Sequence, residues 1–388
     1  MHTIFYAVLV APPSLVCAYL LGSTIRGLGG LRKLVAVRAD LERWPRLSIV
    51  SPACNEERHV EGSIRSILAA DYPDLQVVAI DDRSSDRTGE ILDSLVREDA
   101  RVAVEHVREL PAGWLGKLNA LRLGAVRADG EWLLFMDADV HLAPAALRQA
   151  ITEAQRRQLD LLTVVPTIES AGWLSGAIFG VSLAILSAGG RLVRVRDPRS
   201  AAVAATGAFI LVRRSVFERT PGFEWLKLEV ADDFGLCMLI KSHGGRCDIV
   251  NGAGVVTLDW YASFREMRVA MQKNMFAILG QFSVARMAVL AAMLLWFGLF
   301  PFAALASMPL GWRALPLAGE GALMLAIWLA GRWTGRSRSG ALLAPLACLG
   351  MCWMTVRAAF VGHRQGGIVW RGVLYPTELL AAHQRVKM

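Results

Sequence analysis

The stretch EWLLFMDADVHL (131–142) ends an apolar run in two carboxylates one residue apart, Asp137 and Asp139. Burying one carboxylate is costly, and two like charges side by side cost more. A divalent cation resolves the conflict. Mg²⁺ and Mn²⁺ take oxygen ligands, and Mg²⁺ is typically held by one or two carboxylates plus substrate phosphates. A lone D-x-D also occurs as a turn cap. Here two further acidic stretches, SPACNEE (51–57) and DDRSSDRTG (81–89), also follow apolar runs. A third, ADD (231–233), opens FGLCMLIKSHG. Asp232 and Asp233 read as N-caps of that helix, which ends at Gly244-Gly245, or as one cap and one base for deprotonating a hydroxyl.

The elements that must position these groups alternate. LSIV (47–50), LQVVAI (75–80), VAVEHV (102–107), EWLLFM (131–136) and LLTVVP (161–166) read as strands. VEGSIRSILAA (60–70), RTGEILDSLVRE (87–98), KLNALRLGAVRA (117–128) and PAALRQAITEAQRR (144–157) read as helices, the last opened by Pro144. Alternation with apolar strands predicts an α/β domain: a mostly parallel sheet with helices on both faces. Such sheets bind ligands at the carboxyl ends of their strands, where the acidic stretches gather. G-x-G-x-x-G and G-x-x-x-x-G-K-[ST] are absent, which argues against dinucleotide and P-loop sites.

The chain has 388 residues, a hydrophobic fraction of 54%, a net charge of +8 and seven histidines. The hydrophobicity directs attention to membrane spans. The apolar run 4–22 lacks a basic leader, and Arg26, Arg32, Lys33, Arg38, Arg43 and Arg46 follow it. It reads as an uncleaved anchor, kinked by Pro12-Pro13, with the chain beyond it cytoplasmic. Runs at about 286–308, 315–331 and 341–361 read as C-terminal transmembrane helices. Three spans would leave the basic tail outside, so one run is expected to be re-entrant or interfacial. Residues 262–283 mix cations and apolar residues at helical spacing, as in an interfacial helix or one packed on the soluble domain. The six cysteines form no C-x₂-C pair and read as reduced packing residues, with no zinc site. No nucleic-acid signature is present. His106, His141 and His243 receive no metal role.

The order PACNEE, AIDDRSSDRTGEI, GKLNAL, MDADV, TGAFILVRRSVFERTPGF and ADDFGLCMLIKSHG resembles glycosyltransferase family 2 over about 47–250. The anchor, the C-terminal spans and the tail WRGVLYP (370–376) resemble its membrane branch, which includes ceramide glucosyltransferase-like and carotenoid- or hopene-associated enzymes. The resemblance implies the GT-A nucleotide-diphospho-sugar fold and inversion at the anomeric carbon. It implies a nucleotide site at Pro52, Glu56, Asp81, Asp82, Lys117 and Asp137, and a metal site for Mg²⁺ or Mn²⁺ at Asp139 with Asp137. Asp233 is implied as the base, with Asp232 where the family often has Glu. The reading of Lys117 from its residues alone, a solvated helix-start lysine, stays open.

An acceptor side is expected at Gly207, Gln272, Lys273, Trp370 and Arg371. The family's Q-x-x-R-W appears here as QKNMF (272–276), with Met275 and Phe276 replacing Arg and Trp. Lys273 could compensate for the lost cation, and Trp370 and Arg371 could contribute if the tail is cytoplasmic. The expected domains are an anchor (1–24), the catalytic domain (45–255), an interfacial helix (256–285), transmembrane helices (286–361) and a basic tail (362–388). The expected partners are a nucleotide-diphospho-sugar, a lipid or isoprenoid acceptor and the bilayer, with the catalytic domain cytosolic at a bacterial inner membrane. The segment 171–190 is expected not to span, because crossing would separate Asp233 from Asp139. A processive polysaccharide synthase and a non-catalytic nucleotide-binding scaffold are the alternatives.

Overall fold

The computed structural model describes residues 2–35, 43–169, 172–188, 191–259, 261, 263–335 and 339–387. Helix α1 (His2–Gly27) runs on through Pro12 and Pro13. The next elements are β1 (Leu47–Ala53), α2 (Val60–Leu68), β2 (Leu75–Asp82), α3 (Thr88–Glu98), β3 (Val102–Val107), α4 (Gly116–Arg127), β4 (Trp132–Phe135), β5 (Val140–Leu142) and α5 (Ala146–Arg156). Then come β6 (Leu161–Val165), β7 (Thr167–Glu169), α6 (Trp173–Leu186), α7 (Arg191–Arg194), β8 (Ile210–Arg213), α8 (Arg214–Phe217), α9 (Asp232–Ser242), β9 (Cys247–Asn251) and β10 (Val256–Asp259). The chain closes with α10 (Phe264–Asn274), α11 (Val284–Ser307), α12 (Leu310–Trp333), α13 (Ala344–Gln365), the hairpin β11 (Gly367–Trp370) and β12 (Val373–Pro376), and α14 (Thr377–His383).

The main sheet has the order β3-β2-β1-β4-β8-β6-β9. It is parallel except for β8, which pairs antiparallel with β4 and β6. A small sheet, β5-β10-β7, adds one antiparallel pair. β1, β4 and β6 are buried along their whole length, because helices cover both faces. One core cluster lies under α2, α3 and α5. The other runs under α4 and α9 and continues into the helical bundle.

Among the described residues, three helices are long and apolar enough to cross a membrane: Val284–Ser307, Leu310–Trp333 and Gly340–Gln365. α6 has 14 residues, which at about 1.5 Å per residue falls short of a hydrocarbon core of about 30 Å. α1 and α12 are parallel: Gly319 packs on Ser14, and Gly29 on Trp333. α13 runs antiparallel to α11. Gly298 meets Leu349, the Cys352 thiol donates to the Ala291 carbonyl at 3.2 Å, and Gly362 meets Phe276. α12 ends at the α/β domain, where the Asn251 amide donates to the Trp333 carbonyl. The hairpin after α13 also lies on that domain. α12 thus ends, and α13 returns, on the side of the bundle that faces the α/β domain.

Candidate active site

Two loops build the first edge. Asn55 holds a left-handed turn (φ 58°), and its side-chain carbonyl accepts from the Ser85 N–H at 2.8 Å. The Glu56 N–H donates to Thr88 Oγ1 at 2.8 Å, and the Glu57 N–H to Asp86 at 3.1 Å. The loops after β1 and β2 are thus tied into one rim. Asp82 is fully buried and accepts from Arg83 Nε at 2.8 Å and from Arg371 Nη1 at 3.4 Å. Asp81 accepts from the Ser84 N–H at 3.2 Å and lies 2.8 Å from His106 Nδ1, whose Nε2 lies 3.0 Å from Asp93. Pro52 is buried in β1, paired in register with Ile80. Burial raises the Glu56 carboxyl above its ordinary value, although Arg371 opposes the shift.

The second edge follows β4. Lys117, in the first turn of α4, reaches Asp137 at 2.8 Å and Asp232 at 3.0 Å. Its side chain is 13% exposed, so it is not a solvated helix-start lysine. Burial disfavours its charge, but Asp137 and Asp232 outweigh that and raise its pKa. Gly207 makes the approach possible: a Cβ there would lie 2.8 Å from Asp137 Oδ2 and 3.1 Å from Lys117 Nζ. Because Lys117 bridges Asp137 and Asp232, both stand on one side of segment 171–190.

Asp139 Oδ1 is buried and has no partner. Burial first, then Asp137 and Glu56, push the Asp139 carboxyl up to about 8. Asp233 is pushed up to about 7, by burial and then by Asp232. The N-cap of α9 is Ala231, so Asp232 and Asp233 occupy its first turn and neither is the N-cap residue. Asp233 accepts from the Phe234 N–H at 2.8 Å. Among the described residues no three His, Cys, Asp or Glu side chains form a complete metal cage. A hard divalent cation does not need one, since water and phosphate fill the remaining positions. An orphaned carboxylate oxygen raised by a like charge fits such a cation at Asp139 and Asp137.

The C-terminal segment closes the site. Lys273 Nζ stands 3.9 Å from the centroid of the Trp370 ring, and burial lowers its pKa to about 8 despite the pull of Asp232. Arg371 and Gly372 form the two-residue hairpin loop, both at positive φ (49° and 78°). That turn aims Arg371 at Asp82. Tyr375 Oη donates to the Trp114 carbonyl at 3.2 Å. Buried Glu229 accepts from the Arg385 and Val386 N–H groups at 2.6 and 3.0 Å. Gln272, half-buried on α10, neighbours Lys273. Arg83, Glu229 and Tyr375 were not singled out from the sequence, and His106 was named there only to be given no metal role. The hairpin had a signal, IVW-RG-VLY, a two-residue turn between strand-like triplets. Asp81 and His106 are paired in register across β2 and β3, which no sequence spacing announces.

The sheet order and the helices on both of its faces define an α/β domain of GT-A type. Residues 48–220 match the family described as Glycosyl transferase family 2. The chain is 31% identical over 119 residues to "Uncharacterized glycosyltransferase EpsJ" of Bacillus subtilis, covering 30% of this chain and 33% of that protein. It is 32% identical over 110 residues to "GalNAc(5)-diNAcBac-PP-undecaprenol beta-1,3-glucosyltransferase" of Campylobacter jejuni, 28% of this chain and 35% of that one. These alignments span about a third of each relative. A solved structure, "Mannosyltransferase PcManGT from Pyrobaculum calidifontis in complex with GDP-Man and Mn2+", matches with a TM-score of 0.52 at 18% identity, over 92% of this chain and 99% of that one. At that identity the likeness establishes the fold.

Proposed function

We propose that the protein is a membrane-anchored, inverting glycosyltransferase that moves a sugar from a nucleotide-diphospho-sugar, with UDP-sugars favoured, to a membrane-embedded lipid or isoprenoid acceptor. The constellation of Asp137, Asp139, Lys117, Asp232 and Asp233 at one sheet edge carries the reading. The nucleobase and ribose lie on the rim of Pro52, Glu56, Asp81 and Asp82. Lys117 and Asp137 face the diphosphate. Asp139, with Asp137, holds Mg²⁺ or Mn²⁺, which when bound supplies positive charge against the departing diphosphate. The solved relative with GDP-Man and Mn²⁺ supports this class of donor and cofactor.

Asp233 takes the proton from the acceptor hydroxyl as its oxygen bonds to the anomeric carbon. The bond from that carbon to the diphosphate breaks on the opposite face, and the nucleoside diphosphate leaves with the electron pair. A carboxyl poised near 7 is matched to that task. Lys273 and Arg371 stand on the acceptor side with Gly207, Gln272 and Trp370. The three long apolar helices and α1 support an acceptor held in the bilayer, with the catalytic domain on its cytosolic face. The lipid-linked substrate named for the Campylobacter relative supports a lipid acceptor.

The test is turnover in nanodiscs with a panel of UDP- and GDP-sugars, Mg²⁺ or Mn²⁺ and total bacterial lipid extract. Nucleotide release and new glycolipid are read by mass spectrometry. A metal-dependent lipid product that vanishes in Asp139→Asn and Asp233→Asn supports the reading. A soluble polymer product replaces it with the synthase reading, and nucleotide binding without any product points to the scaffold.

A further inference from the structure

A basic cavity of about 380 Å³ lies away from the carboxylates just described, lined by Arg32, Arg156, Arg157, Gln158, Arg196 and Arg246 among others. Its deep wall stands at the amino ends of β6 and β9. Arg157 is fixed there by Glu153 and Asp248, and Arg156 pairs with Glu153 at 2.9 Å. These two guanidinium groups are neutralised. The other three are not. Arg246 Nη1 donates only to the neutral Gln158 amide, at 3.0 Å. Asp160, the nearest further carboxylate, accepts from the Arg246 backbone N–H and from Arg213. Arg32 and Arg196 are exposed and have no side-chain partner among the described residues. Asp197, next to Arg196, accepts from the Arg199 backbone N–H.

The mouth of the cavity stands where the chain leaves the helical bundle. Arg32 follows the end of α1 by five residues, and its carbonyl accepts from the Asn251 N–H at 2.8 Å. The end of α6 packs there too, Ser187 against Gly27. Arg196 follows on the next loop, which Lys241 clamps to α9 through the Val195 and Ala202 carbonyls at 2.9 and 2.8 Å. A preformed concavity with three unneutralised guanidinium groups suits a phosphate, and planar guanidinium forks match phosphate geometry. Its position at the inner ends of α1 and α6 suits a phosphate carried on a lipid.

We propose that this cavity binds the headgroup phosphate of an anionic membrane lipid and so sets the catalytic domain against the bilayer. The inference rests on the membrane placement given above, but not on the identity of donor or acceptor.

The experiment reconstitutes the full chain in nanodiscs of phosphatidylcholine alone or mixed with phosphatidylglycerol. Co-purified phosphatidylglycerol is counted by native mass spectrometry, and melting temperature is read in both bilayers. The native chain is expected to retain phosphatidylglycerol and to melt higher in the mixed bilayer. Arg32→Gln, Arg196→Gln and Arg246→Gln should each weaken retention about fivefold at low salt. Arg32→Lys should keep most of it. UDP-sugar binding should be unchanged in all of them, so failure here is separable from failure of the transferase reading. Equal retention in the triple variant overturns the proposal, as does a native chain with no lipid preference. Equal stabilisation by inorganic phosphate at matched concentration would make this a soluble-phosphate site instead. A variant whose melting drops equally in both bilayers would assign these arginines a purely structural role.

Discussion

Asp82 ends β2 and Asp139 follows β4, the strands on either side of β1, and both turn a carboxylate away from water. Their surroundings differ. Asp82 is fully buried, and two guanidinium groups face it, one from its own loop and one from the C-terminal hairpin. Asp139 has an oxygen with no partner and two carboxylates nearby. The first acid completes its charge balance within the fold. The second depends on charge brought from outside, and that is the signature of a binding group rather than a structural one. The contrast separates the residues that hold the site in shape from those that act on a ligand.

The largest break should come at the two acids that burial raises, Asp139 and Asp233. Asp233→Asn removes the proposed base and should lower turnover by about 10²–10⁴-fold while leaving donor binding nearly intact. Asp139→Asn should lower turnover about 10²–10³-fold. It should also raise the melting temperature of the ligand-free protein, because a neutral amide relieves a carboxylate that the fold does not balance. Calorimetry without metal, beside a steady-state assay, reads both effects. A destabilised Asp139→Asn protein would place Asp139 among the structural acids with Asp82.

Lys117 is the counter-charge for both Asp137 and Asp232, so Lys117→Met leaves two carboxylates facing each other without a cation. A loss on the order of 3 kcal/mol in unfolding free energy is expected, as for a broken buried pair. Denaturant titration measures it. Asp232→Asn in the same background should recover part of the loss, and no recovery would mean that the two contacts do not share one electrostatic role. A smaller effect is expected at Arg371. Arg371→Gln leaves Asp82 with Arg83, so the fold should hold, while kcat falls more than KM for the donor rises. An effect on donor KM alone would move Arg371 from the acceptor side to the nucleotide rim.

Much of this arrangement was legible in the sequence. Apolar runs ending in acids located the carboxyl edge, because strand burial and charge each leave a local pattern. The long apolar runs located the three helices in the same way. What was not legible depends on contacts between distant segments. β8 reads as the run AFILVRR, and nothing local makes it antiparallel. The altered QKNMF looked like a lost cation site, yet Lys273 meets Trp370 from a hairpin nearly a hundred residues on. For Lys117 a solvated helix start stayed open from its own residues, because its two acidic partners come from other elements. Even the tail's side of the bundle depended on α13 turning back, which charge counting left unresolved.

The smallest expected effect tests the satisfied half of the comparison. His106 lies between Asp81 and Asp93, and its pKa is raised, chiefly by the hydrogen bond to Asp81, against some burial and with help from Asp93. In the protonated ring both nitrogens donate. A histidine raised in the folded state adds stability that is fully present below its unfolded value of about 6.5 and fades as pH rises through the folded value. As pH rises above about 6.5 the native melting temperature should therefore fall by more than that of His106→Gln. If Asp81 contacts the nucleotide base, donor KM should rise over the same interval in the native enzyme and stay flat in the variant. A native melting curve no steeper in pH than the variant's would mean that His106 is neutral throughout. Asp81 would then be held by the Ser84 N–H and the rim loops alone, and the nucleotide edge would be less completely balanced than its hydrogen bonds indicate.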